Sequence, residues 1–250
     1  MTTEVVAVIV AVLSAVFSLA SAVTLEVSRR RSAHKLEKMR YELSLDRENR
    51  MLQRSSAELV LAYQNPILRS AYDLQSRIYN LHRGFRGRRD PEYFKTNTLY
   101  LVAEFFGWLE IVRREMQFLD LTTEADSSRL KEAIDRVQDR FASTSRRDDV
   151  MYIYRGQQRA IGELMIVDSV DSPAQGVRSR CLGYANFVER LGDPSFAKWF
   201  DRIGSQLVNL SVGDLKRLIG VQHALIDLID LLDYNHARFP ANRAKIDPID

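Results

Sequence analysis

The stretch DPEYFKTNTLYLVAEFFGWLEIV, residues 90–112, decides how the chain is read. It opens on Asp90-Pro91, a carboxylate able to cap a first turn followed by a proline whose fixed φ and missing N–H suit the first helical position. Leu99, Val102, Phe105, Phe106, Leu109 and Val112 then follow at helical spacings, and the apolar residues rotate beyond one face. A helix apolar around much of its circumference is buried among others. The spacing predicts a long central helix in an all-α domain.

The same signals recur on either side. Asn65-Pro66, Ser172-Pro173 and Asp193-Pro194 read as further helix starts. The helix from Pro66 presents Ile67, Ala71, Leu74, Ile78 and Leu81, and ends in the loop from Gly84 to Arg89. Leu130, Ile134, Val137 and Phe141 mark an amphipathic helix. Further helices are expected from about Asp149 to Val167 and from Ala174 to Leu191, the second carrying Val177, Cys181, Tyr184 and Val188. A short helix after Pro194 uses Phe196, Trp199, Phe200 and Ile203, and a last one runs from Ser211 to about Tyr234. Sparse glycine and proline disfavour a many-turned β-domain, and no strand or repeat is expected. Residues 240–250, with Pro240 and Pro248, read as a loosely held tail behind a helical domain over 56–239.

The first 27 residues have another character. Val5 to Leu25 holds no charged residue and is dominated by Val, Ala, Leu and Ile. As a helix it spans about 30 Å, the thickness of a bilayer's hydrocarbon core. Arg29, Arg30 and Arg31 follow at once, and nothing before Val5 is basic. The positive-inside rule then places the N-terminus outside, the arginines at the inner membrane surface and the remaining chain in the cytoplasm. Ala20-Ser21-Ala22 resembles a signal-peptide cleavage site, but a signal wants a basic start and this one is Met1-Thr2-Thr3-Glu4. Ala7, Ala11, Ser14, Ser18 and Ser21 share a helical face that a second helix can approach closely.

A pI of about 9.0 invites a nucleic-acid reading, which the location of the charge opposes. From Ser28 to Arg54 there are nine Lys/Arg against four Asp/Glu, and from Ser55 onward 27 against 27. The excess belongs to a stalk over 28–55 just after the apolar stretch, the place of a membrane-surface signal, so no nucleic-acid partner is expected. The stalk lacks Pro and Gly, pairs Lys38 with Glu42 and Asp46 with Arg50 at i,i+4, and has an apolar seam of Leu36, Met39 and Leu43. It reads either as a lone helix or as a short coiled coil.

Enzyme signatures are missing. No phosphate-binding glycine loop, G-x-G-x-x-G, H-E-x-x-H or G-x-S-x-G occurs, and the one cysteine, Cys181, excludes a Cys-based zinc site and an internal disulfide. No cofactor is expected. Three groupings remain. Glu104, Glu110, Arg155, Arg159 and Glu163 are polar residues within apolar helices, and a buried Glu104 would need an arginine such as Arg155 or Arg159. They form either a structural network or a small-ligand pocket. His223, Asp227 and Asp230 share a helical face, with Asp233 and His236 close behind, and offer nitrogen and oxygen ligands to a metal; an acidic solvent-facing stripe is the plainer alternative. Arg83, Arg86, Arg88 and Arg89, with Phe85 among them, read as a solvated loop able to touch phosphates.

Phe106-Gly107-Trp108-Leu109-Glu110-Ile111-Val112-Arg113-Arg114-Glu115, Arg155-Gly156-Gln157-Gln158-Arg159-Ala160-Ile161-Gly162-Glu163-Leu164 and Leu225-Ile226-Asp227-Leu228-Ile229-Asp230 together resemble a family of uncharacterised bacterial membrane-anchored helical proteins. The resemblance covers most of the chain after about Leu61. It implies a bacterial plasma-membrane setting and carries over no functional residue. The expectation is a single-pass membrane protein whose cytoplasmic helical domain binds a partner protein or itself. The alternative is a membrane-tethered ligand sensor or enzyme with a polar pocket between helices.

Overall fold

The computed structural model describes residues 35–48, 50–51, 63–85, 90–116, 124–144, 151–168, 179–210 and 215–247. The chain forms two units, Met1–Ser55 and Ser56–Asp250. The apolar stretch Val5–Leu25 and Arg29, Arg30 and Arg31 lie outside the described residues. Among the described residues no helix is long and apolar enough to cross a membrane.

In the first unit, residues 35–48 are helical and exposed throughout. The expected i,i+4 pairs are present, Lys38–Glu42 at 4.0 Å and Asp46–Arg50 at 2.8 Å. Exposed pairs like these support a helix only slightly.

The second unit is predominantly helical. Its elements are α1 (63–82), α2 (Pro91–Met116), α3 (Glu124–Ala142), α4 (Arg155–Leu164), β1 (Ile166–Asp168), β2 (Ser179–Cys181), α5 (Tyr184–Arg190), α6 (Pro194–Ala197), α7 (Asp201–Val208) and α8 (Lys216–Leu232). Helix α2 is central, as its apolar rotation predicts: it packs on α4, α5, α7 and both strands, while α3 lies against α8 and α4. Phe105, Phe106, Leu99, Val102, Leu109 and Val112 of α2 are buried in one continuous core with Leu68 and Leu74 of α1, Val137 and Phe141 of α3, and Leu225 and Ile229 of α8.

The caps follow the sequence in two cases. Asp90 Oδ1 accepts the Tyr93 N–H at 2.9 Å and its carbonyl accepts the Phe94 N–H at 3.1 Å, which starts α2. Asp193 Oδ1 accepts the Ser195 N–H at 2.8 Å and starts α6. Helix α1 closes on Gly84, whose φ of 83° is a left-handed turn that glycine enters without steric cost. Two other glycines allow close helix approach. A β-carbon on Gly162 of α4 would lie 2.6 Å from the Phe106 carbonyl oxygen of α2, and one on Gly107 of α2 would lie 2.6 Å from Cys181 Sγ.

Four expectations need correction. Pro66 does not begin a helix, because residues 63–65 are already helical and the proline sits within α1. The helix expected from about Asp149 is shorter: Met151–Tyr154 precede it in irregular backbone, with Met151 at a φ of 63° and its N–H donated to Gln206 Oε1 at 2.9 Å. Strands do occur. β1 and β2 pair antiparallel, Ile166 opposite Cys181, so Cys181 belongs to a strand and not to the expected helix, and α5 begins at Tyr184, after Gly183, while residues 169–178 lie outside the described residues. The tail expected to be loose is tied down as far as residue 247: Ile246 is buried, because the buried Gln75 of α1 and Gln222 of α8 find their partners in the Asn242 and Ala244 carbonyls. The start expected at Ser172-Pro173 lies outside the described residues.

Candidate functional site

The residues expected to line one pocket take separate partners. Glu110 is buried on α2 and accepts Arg113 Nε at 2.7 Å, Arg113 Nη2 at 2.6 Å and Arg114 Nε at 3.2 Å. Burial pushes its carboxyl up, and the hydrogen bonds and charges of the two arginines more than reverse this, holding it below its ordinary value. Arg155 reaches α3, donating to Asp139 Oδ1 at 2.6 Å, to the Asp135 carbonyl at 3.2 Å and to Gln138 Oε1. Arg159 pairs with Glu163 at 3.0 Å on the exposed side of α4. Neither Arg155 nor Arg159 is the partner that Glu104 takes among the described residues.

Glu104 sits in a different cluster. Its Oε1 accepts the Tyr100 hydroxyl at 3.2 Å, one turn earlier on α2, and its backbone carbonyl lies 3.8 Å from Cys181 Sγ on β2. Tyr100 packs edge-on against Tyr184 at 5.3 Å and Phe187 at 5.5 Å. Burial pushes the Glu104 carboxyl up; the Tyr100 hydrogen bond and the Arg69 charge lower it, and the Asp73 charge raises it further. The Asp73 carboxyl on α1 is raised too, by burial against the weaker pull of Arg69. Tyr100 is raised by burial and by Glu104. The cluster therefore favours protonated groups, held by edge-on aromatic packing and one phenol–carboxylate hydrogen bond.

Two outcomes follow. Burial, with the Glu104 charge, pushes the Cys181 thiol up to about 12 against the weak opposing Leu182 N–H. A thiol so raised holds little thiolate near neutrality. Alkylation by iodoacetamide at pH 8 is expected to be at least tenfold slower in the folded chain than in denaturant; equal rates would refute the burial. Glu104 has a folded value above its unfolded one, so its penalty is absent below the unfolded value and grows as pH rises through the folded one. Glu104→Gln is expected to raise the melting temperature at pH 7.5 and to lose that advantage near pH 4. A loss of stability at pH 7.5 would mean that the charged form is wanted.

The metal-like grouping shares a face of α8, as its spacing requires, and one polar atom of each member is paired. His223 Nε2 lies 2.7 Å from the Ile246 carbonyl, Asp227 Oδ1 2.6 Å from Lys245 Nζ and Asp230 Oδ1 3.0 Å from Arg243 Nη1. Asp233 accepts the Ala237 N–H at 3.1 Å and the Phe239 N–H at 3.1 Å, and pairs with Arg243. Burial pushes the Asp233 carboxyl up, yet the Phe239 and Arg238 N–H groups and Arg243 hold it below its ordinary value. Among the described residues no group of three His, Cys, Asp or Glu side chains is placed to hold a metal.

Sequence reasoning missed the partners of this stripe. The available signal was charge spacing: Arg243 and Lys245, two apart, follow an acidic row on α8. It also missed Gln75 and Gln222, both buried, which meet across α1 and α8 at 3.5 Å. Of the arginine loop, Arg83 lies beside the Tyr79 ring at 5.6 Å and Phe85 is exposed, while Arg86, Arg88 and Arg89 fall outside the described residues. No protein-family model, curated protein or solved structure matches the chain.

Proposed function

We propose that the chain is a single-pass membrane protein of the bacterial plasma membrane, with its helical unit in the cytoplasm serving protein–protein interaction or scaffolding. The membrane part rests on the uncharged stretch Val5–Leu25 and the arginines that follow it. The interaction part is carried by one observation. On the helix over 35–48, Leu36, Met39 and Leu43 are 51%, 59% and 51% exposed at spacings of three and four. A seam of large apolar side chains at this spacing, on a helix that also exposes Tyr41 and Leu45 off it, is what a second helix covers. The alternative reading, a ligand pocket between helices, has less to support it, since Arg155 and Arg159 turn to Asp139 and Glu163 and not to Glu104.

The partner we favour for the seam is a second copy, held parallel by its own anchor. In a parallel pair Glu42 of one stalk faces Arg47 of the other, an attractive flank, whereas Lys35 and Arg40 face each other and weaken the upper end. Cysteine at Met39 in the full-length chain is expected to give a disulfide-linked dimer in membranes under mild oxidation, and Leu36→Asp with Leu43→Asp should remove it. Equal crosslinking from Met39→Cys and from Tyr41→Cys, off the seam, would count against the reading.

A further inference from the structure

The segment 239–247 is bound to the face made by α1 and α8 in the way a peptide is bound. Its backbone is read by side chains. Gln222, fully buried, donates to the Ala244 carbonyl at 2.9 Å and accepts the Ile246 N–H at 3.2 Å, the pairing that a neighbouring strand would make. Gln75 donates to the Asn242 carbonyl at 3.0 Å, and His223 meets the Ile246 carbonyl at 2.7 Å. Contacts to residues 242, 244 and 246 have the period of two of an extended chain. The intervening Arg243 and Lys245 turn to the acidic row, Arg243 to Asp230 and Asp233, Lys245 to Asp227.

Buried glutamine amides in an apolar helix pair are costly unless satisfied. Besides each other and Ser76, what satisfies them here is main chain, which any peptide offers, while the carboxylates select basic residues two apart. This is the division of labour in extended-peptide recognition, with backbone bonds for affinity and side-chain sites for specificity. The segment's two ion pairs are unequal: Arg243 with Asp233 is buried, while the Lys245–Asp227 pair is half exposed on both sides.

We propose that the α1–α8 face is a binding groove for an extended basic segment of a partner protein, Arg-x-Lys followed by a branched aliphatic, and that 239–247 occupies it in cis. The inference rests on the interaction reading and names the partner's chemistry. Tethering gives the cis segment a high effective concentration, so a partner gains entry only when that segment is weakened or outcompeted.

The test uses the full-length chain and a fluorescent peptide of residues 240–247. Arg243→Glu with Lys245→Glu weakens the cis segment, and this variant is expected to bind the peptide at least tenfold more tightly than the unaltered chain. Adding Asp227→Ala should lose most of that gain. If the double variant does not fold, Lys245→Glu alone is used, with an expected gain of about threefold from loss of the exposed pair. A folded variant that binds no more tightly than the unaltered chain overturns the proposal, as does equal binding of a composition-matched peptide with Arg and Lys adjacent. Membrane tethering and the stalk contact are read by other measurements, so a failure here removes the groove and leaves them standing.

Discussion

Phe187→Ala is expected to lower the unfolding free energy by about 3–5 kcal/mol. Phe187 is fully buried, and its ring lies edge-on to Tyr100, Phe196 and Phe200 at 5.5, 5.6 and 5.2 Å. It thereby joins α2, α5, α6 and α7 through one side chain. Truncation removes the transfer energy of a phenyl group and leaves a void that three aromatic neighbours, each packed elsewhere, fill poorly. Its exposed neighbour supplies the control: Val188→Ala should change stability by no more than about 0.5 kcal/mol. Denaturant unfolding followed by helical circular dichroism reads both, and similar midpoints for the two variants would contradict this packing.

Gly162→Ala carries the second large effect, and here two rules give opposite signs. Helix propensity alone favours alanine by about 1 kcal/mol. Packing opposes it, since the new methyl would sit 2.6 Å from the Phe106 carbonyl oxygen and 2.9 Å from Glu110 Cβ. The first of these is α2 backbone, which cannot swing aside as a side-chain tip would, so α2 and α4 must separate. A net loss of about 1–3 kcal/mol is expected. Gly156→Ala, on the same helix with nothing within 4 Å, should be neutral or stabilising. If both variants stabilise, the close crossing of α2 and α4 is wrong.

What the sequence made legible was local. Asp90-Pro91 and Asp193-Pro194 announce their helices because the capping carboxylate and the proline are adjacent in the chain, and the rotation of apolar residues over 99–112 marks α2 as central without reference to any other segment. Pro66 misled because the same signal is silent about residues before it. Val177, Cys181, Tyr184 and Val188 have helical spacing, yet Cys181 pairs with Ile166 across a hairpin, and no periodicity reveals a partner on another strand. The polar residues failed for the same reason. Arg155 was free, on sequence grounds, to turn toward Glu104, and its choice of Asp135 and Asp139 depends on how α4 lies on α3. For His223, Asp227 and Asp230 the shared face was legible; their partners in 243–246 required knowing that the tail returns to α8.

Membrane topology tests the central claim most directly. Two reporters fused after Asp250, one active only in the cytoplasm and one only beyond the membrane, would be compared in bacterial cells, with the fusion recovered from carbonate-washed membranes. The expected result is cytoplasmic activity from a fusion that stays in the membrane pellet, as an outward N-terminus followed by Arg29, Arg30 and Arg31 requires. Strong activity from the outer reporter, or a fusion released into the soluble fraction, would contradict it.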